Sequence, residues 1–290
     1  MALIVCPLCV REDDVFLIKT LPDGRKEARC DDCDFTFTYG SPVEPKKEAT
    51  TPRRKAAAPK VSKPSVAPIT IVARRFPTVD DVSADALERA EALKQTFLAA
   101  PYTPDPLVVR HWAKFRWVFS ADGLDKAAIF DLKLFATDPT GVSTGDPTTF
   151  DKAWVLLGEF EGARRIRATA DRLLRGHGVL EDRFTDLAGG DFAQTMPGWD
   201  ERLLTKTLAV AEPDRFLPIV TFADKKALAL AVYDLELPVV DETSLTLGRL
   251  AVWSNDLLVD LLGDGFDDLH HAAQFLRWAS TRPEGSRSRL

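Results

Sequence analysis

All four cysteines of this 290-residue chain fall within its first 33 residues, as Cys6-Pro-Leu-Cys9 and Cys30-Asp-Asp-Cys33. No other feature constrains the fold as strongly. A secreted disulfide scaffold spreads its cysteines through the body that they staple. Two close CxxC pairs instead aim four sulfurs at one point, the donor set of a tetrahedral metal site. The spacing predicts a zinc ribbon in which Cys6, Cys9, Cys30 and Cys33 bind a structural Zn2+. Rubredoxin-type iron uses the same four ligands and stays open as an alternative. Four thiolates leave no open coordination position, so the predicted site holds structure and does no chemistry.

The residues around the cysteines read as strands. Val15-Phe16-Leu17-Ile18 is an apolar run, Pro22-Asp23-Gly24 a turn signal, and Phe35-Thr36-Phe37-Thr38-Tyr39 an alternating pattern. Residues 1–41 form the predicted ribbon. Residues 42–75 carry Pro, Lys, Ala and Thr without a single aromatic side chain, the composition of a disordered linker. This linker is basic, with 9 Lys and Arg against 2 Glu, inside a chain whose formal net charge is -6. Arg53, Arg54, Lys55, Lys60, Lys63, Arg74 and Arg75 are its candidate contacts to DNA or RNA phosphates. Solubility and spacing account for the same charges. In the ribbon, Arg11, Lys19, Arg25, Lys26 and Arg29 beside Phe35, Phe37 and Tyr39 could grip backbone and bases. They also suit a small solvated unit with an aromatic core.

From about residue 76 the period becomes helical. Ser83 caps a run with Ala86, Leu87, Ala90, Leu93 and Phe97 on one face. Further helices are predicted near 106–119, 125–136, 148–158, 161–178, 200–211, 222–235, 244–263 and 267–280, with Asp200 and Thr243 as caps. The expected class is mainly α: a small β zinc ribbon, a disordered basic linker, and a helical domain over 76–285. No apolar run approaches the roughly 20 residues that span a bilayer, and no basic leader precedes the apolar start. These features predict a soluble cytoplasmic protein.

Three stretches of the helical part go beyond generic packing: Gly162-Ala163-Arg164-Arg165-Ile166, then Leu203-Leu204-Thr205-Lys206-Thr207-Leu208 leading to Pro213-Asp214-Arg215-Phe216-Leu217-Pro218, then Phe275-Leu276-Arg277-Trp278. In order and spacing, residues 150–280 resemble the region preceding the AAA+ motor of McrB-type modified-DNA restriction proteins. The resemblance implies a recognition part of a prokaryotic defence system that binds nucleic acid or docks on an AAA+ motor or nuclease subunit. The motor itself is absent, because no GxxxxGK[ST] loop occurs. By their residues alone, Pro213-Asp214-Arg215-Phe216 read as a turn with Phe216 as its anchor. Lys206 reads as a partner for a carboxylate such as Asp214.

Catalytic patterns are sparse. Pro104-Asp105 and Asp131-Leu132-Lys133 match a loose PD…(D/E)xK nuclease pattern, which requires two carboxylates on neighbouring strands around Mg2+. His111, His177, His270 and His271 contain no i, i+4 pair. Trp112, Phe115, Arg116 and Trp117 could stack bases, but fit a packed core with one snorkelling arginine as well. The expectation is a binding module without catalysis of its own. The rival readings are a protein–protein adaptor with no nucleic-acid role and a nuclease.

Overall fold

The computed structural model describes residues 15–20, 26–30, 36–39, 76–142, 144–241 and 244–282. The chain divides into two compact units, Met1–Ile69 and Thr70–Leu290. It is mainly α, with a small sheet near the N-terminus and a helical remainder. Among the described residues no helix is long and apolar enough to cross a membrane.

The first unit holds an antiparallel three-stranded sheet of β1 (Val15–Thr20), β2 (Lys26–Cys30) and β3 (Thr36–Tyr39), with β2 in the centre. Its register sets Val15 opposite Cys30 and Lys26 opposite Tyr39, with a bulge between Leu17 and Lys19. Ala28 of the central strand is fully buried, and the cross-strand pair Lys19–Glu27 closes to 3.3 Å.

The zinc-ribbon expectation is corrected at this point. Among the described residues no group of three or more His, Cys, Asp or Glu side chains could hold a metal ion. Cys6, Cys9 and Cys33 lie outside the described residues. Of Cys30 only the backbone is described, and it is drawn into the ladder as the last residue of the central strand. Backbone pairing is what joins the described strands. The Zn2+ cofactor and the ribbon class are therefore set aside. The linker residues Arg53, Arg54, Lys55, Lys60, Lys63, Arg74 and Arg75 also lie outside the described residues.

The second unit contains α1 (Ala84–Leu98), α2 (Pro106–Val118), α3 (Ile129–Thr137), α4 (Thr148–Arg175), α5 (Leu180–Gly189), α6 (Glu201–Ala211), α7 (Phe222–Tyr233), α8 (Leu247–Leu262) and α9 (Leu269–Ser280). Side-chain oxygens that accept from first-turn amides start many of these helices. Ser83 does so for α1, Asp105 for α2, Asp200 for α6, Thr221 for α7, Thr246 for α8 and Asp268 for α9. The start of α8 thus falls at Thr246 and not at Thr243. The two segments expected at 148–158 and 161–178 are halves of one broken helix, α4. Gly158 interrupts it with φ 75° and ψ 163°, backbone angles that belong almost solely to glycine. Val155, Leu156 and Phe160 beside the break are exposed.

The helices enclose two apolar cores. The first gathers α2 to α6 around Phe115, Leu132, Phe135, Ile166, Trp199 and Leu204. The second gathers α1, α7, α8 and α9 around Tyr233, Leu250, Leu258, Phe275 and Leu276. Helix α8 lies against α5 at the seam, where Trp253 Nε1 donates to Glu181 Oε1 at 3.0 Å. The segment between α6 and α7 is fastened to α8 and α9. The buried Asn255 side chain accepts from Leu217 N and donates to Arg215 O, both at 2.9 Å. Arg277 of α9 donates to Pro218 O at 2.9 Å.

Candidate ligand-binding site

A cavity of about 480 Å³ opens where the two cores meet. Its walls come from the 102–105 segment, one face of α2, the α6–α7 connection and the first turns of α9. Local sequence explains how these pieces are held. Pro106 occupies the first turn of α2, where its missing N–H costs nothing, and Asp105 caps the helix through Leu107 N at 2.8 Å. Asp268 caps α9 through His271 N at 2.7 Å and also accepts from the Tyr102 hydroxyl at 3.4 Å. The Tyr102 ring stacks on His271 with centroids 3.9 Å apart and planes 4° from parallel. Burial, with the Asp268 carboxylate adding to it, pushes the Tyr102 hydroxyl up to about 12. It therefore stays protonated and keeps donating.

Two side chains of the cavity wall, Trp112 and His270, keep a ring nitrogen buried behind that wall. Trp112 is only 8% exposed, and its ring meets His270 edge-on with centroids 4.1 Å apart. Trp112 Nε1 and His270 Nε2 are both buried, and neither has a hydrogen-bond partner. Gly141, also in the wall, permits the indole to approach. A Cβ at that position would fall 2.3 Å from Trp112 Nε1, and the φ of 79° disfavours a side chain there in any case. Burial lowers the pKa of His270, with Asp268 opposing and Arg277 reinforcing, so the imidazole is neutral at pH 7. A buried polar atom with no partner is disfavoured by roughly 1–3 kcal/mol.

At the rim the groups are charged. Arg116 lies one helical turn beyond Trp112 on α2 and is exposed, with no ion-pair or hydrogen-bond partner among the described residues. Asp214 in the α6–α7 connection is exposed and equally free. Asp105 and Asp268 are engaged as caps, and Arg277 is engaged on Pro218 O. A second hollow, of about 570 Å³, lies on the other side of Tyr102 between α1 and α9.

The residues that the sequence singled out are dispersed. Asp105 caps α2, while Asp131 on α3 pairs with Lys114 at 2.5 Å. Lys133 lies over the Trp154 ring at 5.7 Å. Helices carry Asp131 and Lys133, and no strand is present among the described residues of this unit, so the nuclease arrangement is absent. Lys206 does not reach Asp214. Its ammonium donates to Phe135 O at 3.0 Å and Asp138 O at 2.7 Å, beneath the Phe135 ring. His111 sits against Asp138, with Nδ1 to Oδ2 at 3.7 Å. Phe216 is buried as the turn's anchor, whereas Arg215 pairs with Asp256 at 3.2 Å. The α2 aromatic cluster splits: Phe115 is core, Trp117 is 53% exposed, and Trp112 is shared between core and cavity. Tyr102, Gly141 and His270 went unrecognised as site residues. The available signal was Asp268-Leu269-His270-His271, a cap followed by two histidines that face different surroundings.

No family model matches this chain, no curated protein matches it, and no solved structure matches it. The resemblance to the region ahead of a restriction motor is therefore corrected. Its short motifs are accounted for by helix packing, a fastened turn and a buried lysine. The zinc-ribbon recognition role in a defence system falls with it, since among the described residues no metal cluster exists.

Proposed function

We propose that the helical unit is a receptor for a small organic ligand held in the cavity between α2 and α9. One observation carries this reading: a hollow of about 480 Å³ opens between α2 and α9, with Trp112, Val108 and Leu269 in its wall and Arg116 and His270 among its polar lining. That volume lies in the range of drug-sized ligand sites, and apolar walls with a few convergent polar groups are the usual make-up of such sites. Val108, Val109, Leu269, Pro104 and Pro213 supply the apolar part.

The test uses the full chain and N-phenyl-1-naphthylamine, an uncharged dye that brightens on entering an apolar cavity. Saturable binding with a single class of site is expected. Ala113, exposed at the cavity wall, can be replaced by Trp without disturbing either core. Ala113→Trp should weaken dye binding at least about tenfold, the effect of losing one well-buried contact, while far-UV and near-UV circular dichroism stay unchanged. Undiminished dye binding in a natively folded Ala113→Trp protein would overturn the proposal.

A further inference from the structure

Among the described residues, the most exposed large apolar side chains gather where α4 breaks. Leu156 is 87% exposed, Phe160 84% and Val155 78%, and Gly158 between them carries the non-helical backbone. Helix α3 brings a fourth. Arg167 Nη2 of α4 donates to Ala127 O at 2.7 Å, and Lys133 lies over the Trp154 ring at 5.7 Å. The chain from 127 to 133 therefore runs antiparallel to α4 from 167 back to 154. That course brings Phe130, 70% exposed, to the level of the break. A single exposed apolar residue needs no explanation, but a contiguous group marks a contact surface. The apolar area on view in these four side chains is on the order of 500 Å². A stable interface covers about 800 Å² on each partner, apolar at its centre and polar at its rim. The ridge has the size of such a centre.

The charges at its edge decide what covers it. Lys152 stands one turn before Val155 and Leu156, and Glu159 directly follows the break. Both are exposed, and neither has an ion-pair or hydrogen-bond partner among the described residues. Along the chain, Lys152 lies as far before Val155 as Glu159 lies after Leu156. The ridge is thus complementary to itself. A two-fold axis through its middle sets Lys152 of each copy against Glu159 of the other while the apolar side chains meet, because in such a contact residue i meets j and j meets i. At Gly158 a Cβ would meet nothing within 4 Å, so the backbone there is open to close approach. An anionic lipid surface is opposed by the free Glu159, and the cations that follow, Arg164 and Arg165, are already held by Glu161. We infer that a second copy of this chain covers the ridge, in a two-fold dimer centred on Val155 and Leu156 of α4. This contact is independent of the cavity between α2 and α9.

Analytical ultracentrifugation of the full chain, from micromolar to submillimolar concentration, is the test. The wild-type protein is expected to pass from monomer to dimer as it is concentrated. A monomer at every concentration would overturn the inference. Leu156→Glu and Phe160→Glu change exposed positions and threaten neither core. Each should weaken dimerisation by at least about thirtyfold, the loss of a contact at the centre of an interface, with circular dichroism unchanged. A dimer that persists in both variants would place the contact on another face and overturn the inference as well. Charge exchange tests the two-fold arrangement. Lys152→Glu alone and Glu159→Lys alone should each weaken the dimer about tenfold, because each sets like charges against one another twice. Mixed in equal amounts, the two single variants should pair with each other as tightly as wild type pairs with itself, and the double variant should dimerise again. No heterodimer in the mixture would show that Lys152 does not face Glu159 and would sink the arrangement. Flotation of a monomeric wild-type protein with phosphatidylglycerol vesicles would assign the ridge to a lipid surface instead.

Discussion

Each half of the helical unit buries one lysine, and the two are placed very differently. In the first core, Lys206 of α6 reaches the C-terminal end of α3, donating to Phe135 O and Asp138 O. The last carbonyls of a helix have no partner within the helix and carry its negative pole, so a cation there is doubly suited. In the second core, Lys225 of α7 is 1% exposed and donates to Ala251 O at 2.7 Å. That carbonyl lies in the second turn of α8, where the helix ladder already serves it. Two lysines with similar burial therefore do unequal work: one completes a helix end, the other adds a third party to a satisfied group. Burial alone does not rank buried cations; the need of the acceptor does.

The largest effect expected from this contrast is in the first core. Lys206→Met leaves Phe135 O and Asp138 O without a donor and should destabilise by about 2–4 kcal/mol in urea unfolding. Lys225→Met leaves no carbonyl without a donor and should lose less, about 1–2 kcal/mol, part of it from the half-buried Glu201 carboxylate that loses its nearby cation. Equal losses would break the comparison. Gly158 offers an intermediate measure within the first half. Ala at φ 75° and ψ 163° meets no neighbouring atom, so its penalty is purely conformational, about 1–2 kcal/mol, unless α4 straightens. A neutral Gly158→Ala result would show that the break in α4 is not enforced.

The smallest effect is on pH dependence. Burial lowers both Lys206 and Lys225 to about 8 from 10.5, so the unfolded chain binds more protons between those values and stability rises with pH across that window. His111 and His270 are lowered from 6.5, chiefly by burial, so stability also falls as the solution is acidified below that value. Tyr102 is raised to about 12 from 10.0, and burial raises Tyr233 too, so above pH 10 the folded state holds the extra protons and the gain reverses. The melting temperature should therefore climb by a few degrees from about pH 8 to about pH 10 and then decline. In the Lys206→Met protein part of the alkaline rise should vanish, which assigns it to that residue. A flat profile between pH 8 and 10 would remove both lysines from the account.

What could be read from sequence was local. Ser83 and Asp200 announce helix starts because a cap is a contact within three residues. The apolar faces of α1, α6 and α9 follow from a 3.6-residue period. Helix α5 escaped notice because Leu180–Gly189 is short and its cap position, Val179, offers no side-chain acceptor. Lys206 looked like a partner for nearby Asp214, but its true acceptors are main-chain oxygens some seventy residues earlier, which no side-chain pattern encodes. The cavity is similarly non-local. Residues near 102–116, 141, 210–214 and 268–277 meet only after two cores have formed. The cysteine spacing, the strongest local signal of all, pointed to a metal site that no cluster among the described residues supports. Spacing states what a chain permits, not what its tertiary structure assembles.

The shared wall between α2 and α9 has a thermodynamic corollary. A guest that touches both Trp112 and His270 is released when either half opens, so its affinity is added to the stability of each. Saturation should thus fuse melting of the two halves into a sharper single event, and hydrogen exchange should slow in α3 and α8 alike, far from the guest itself.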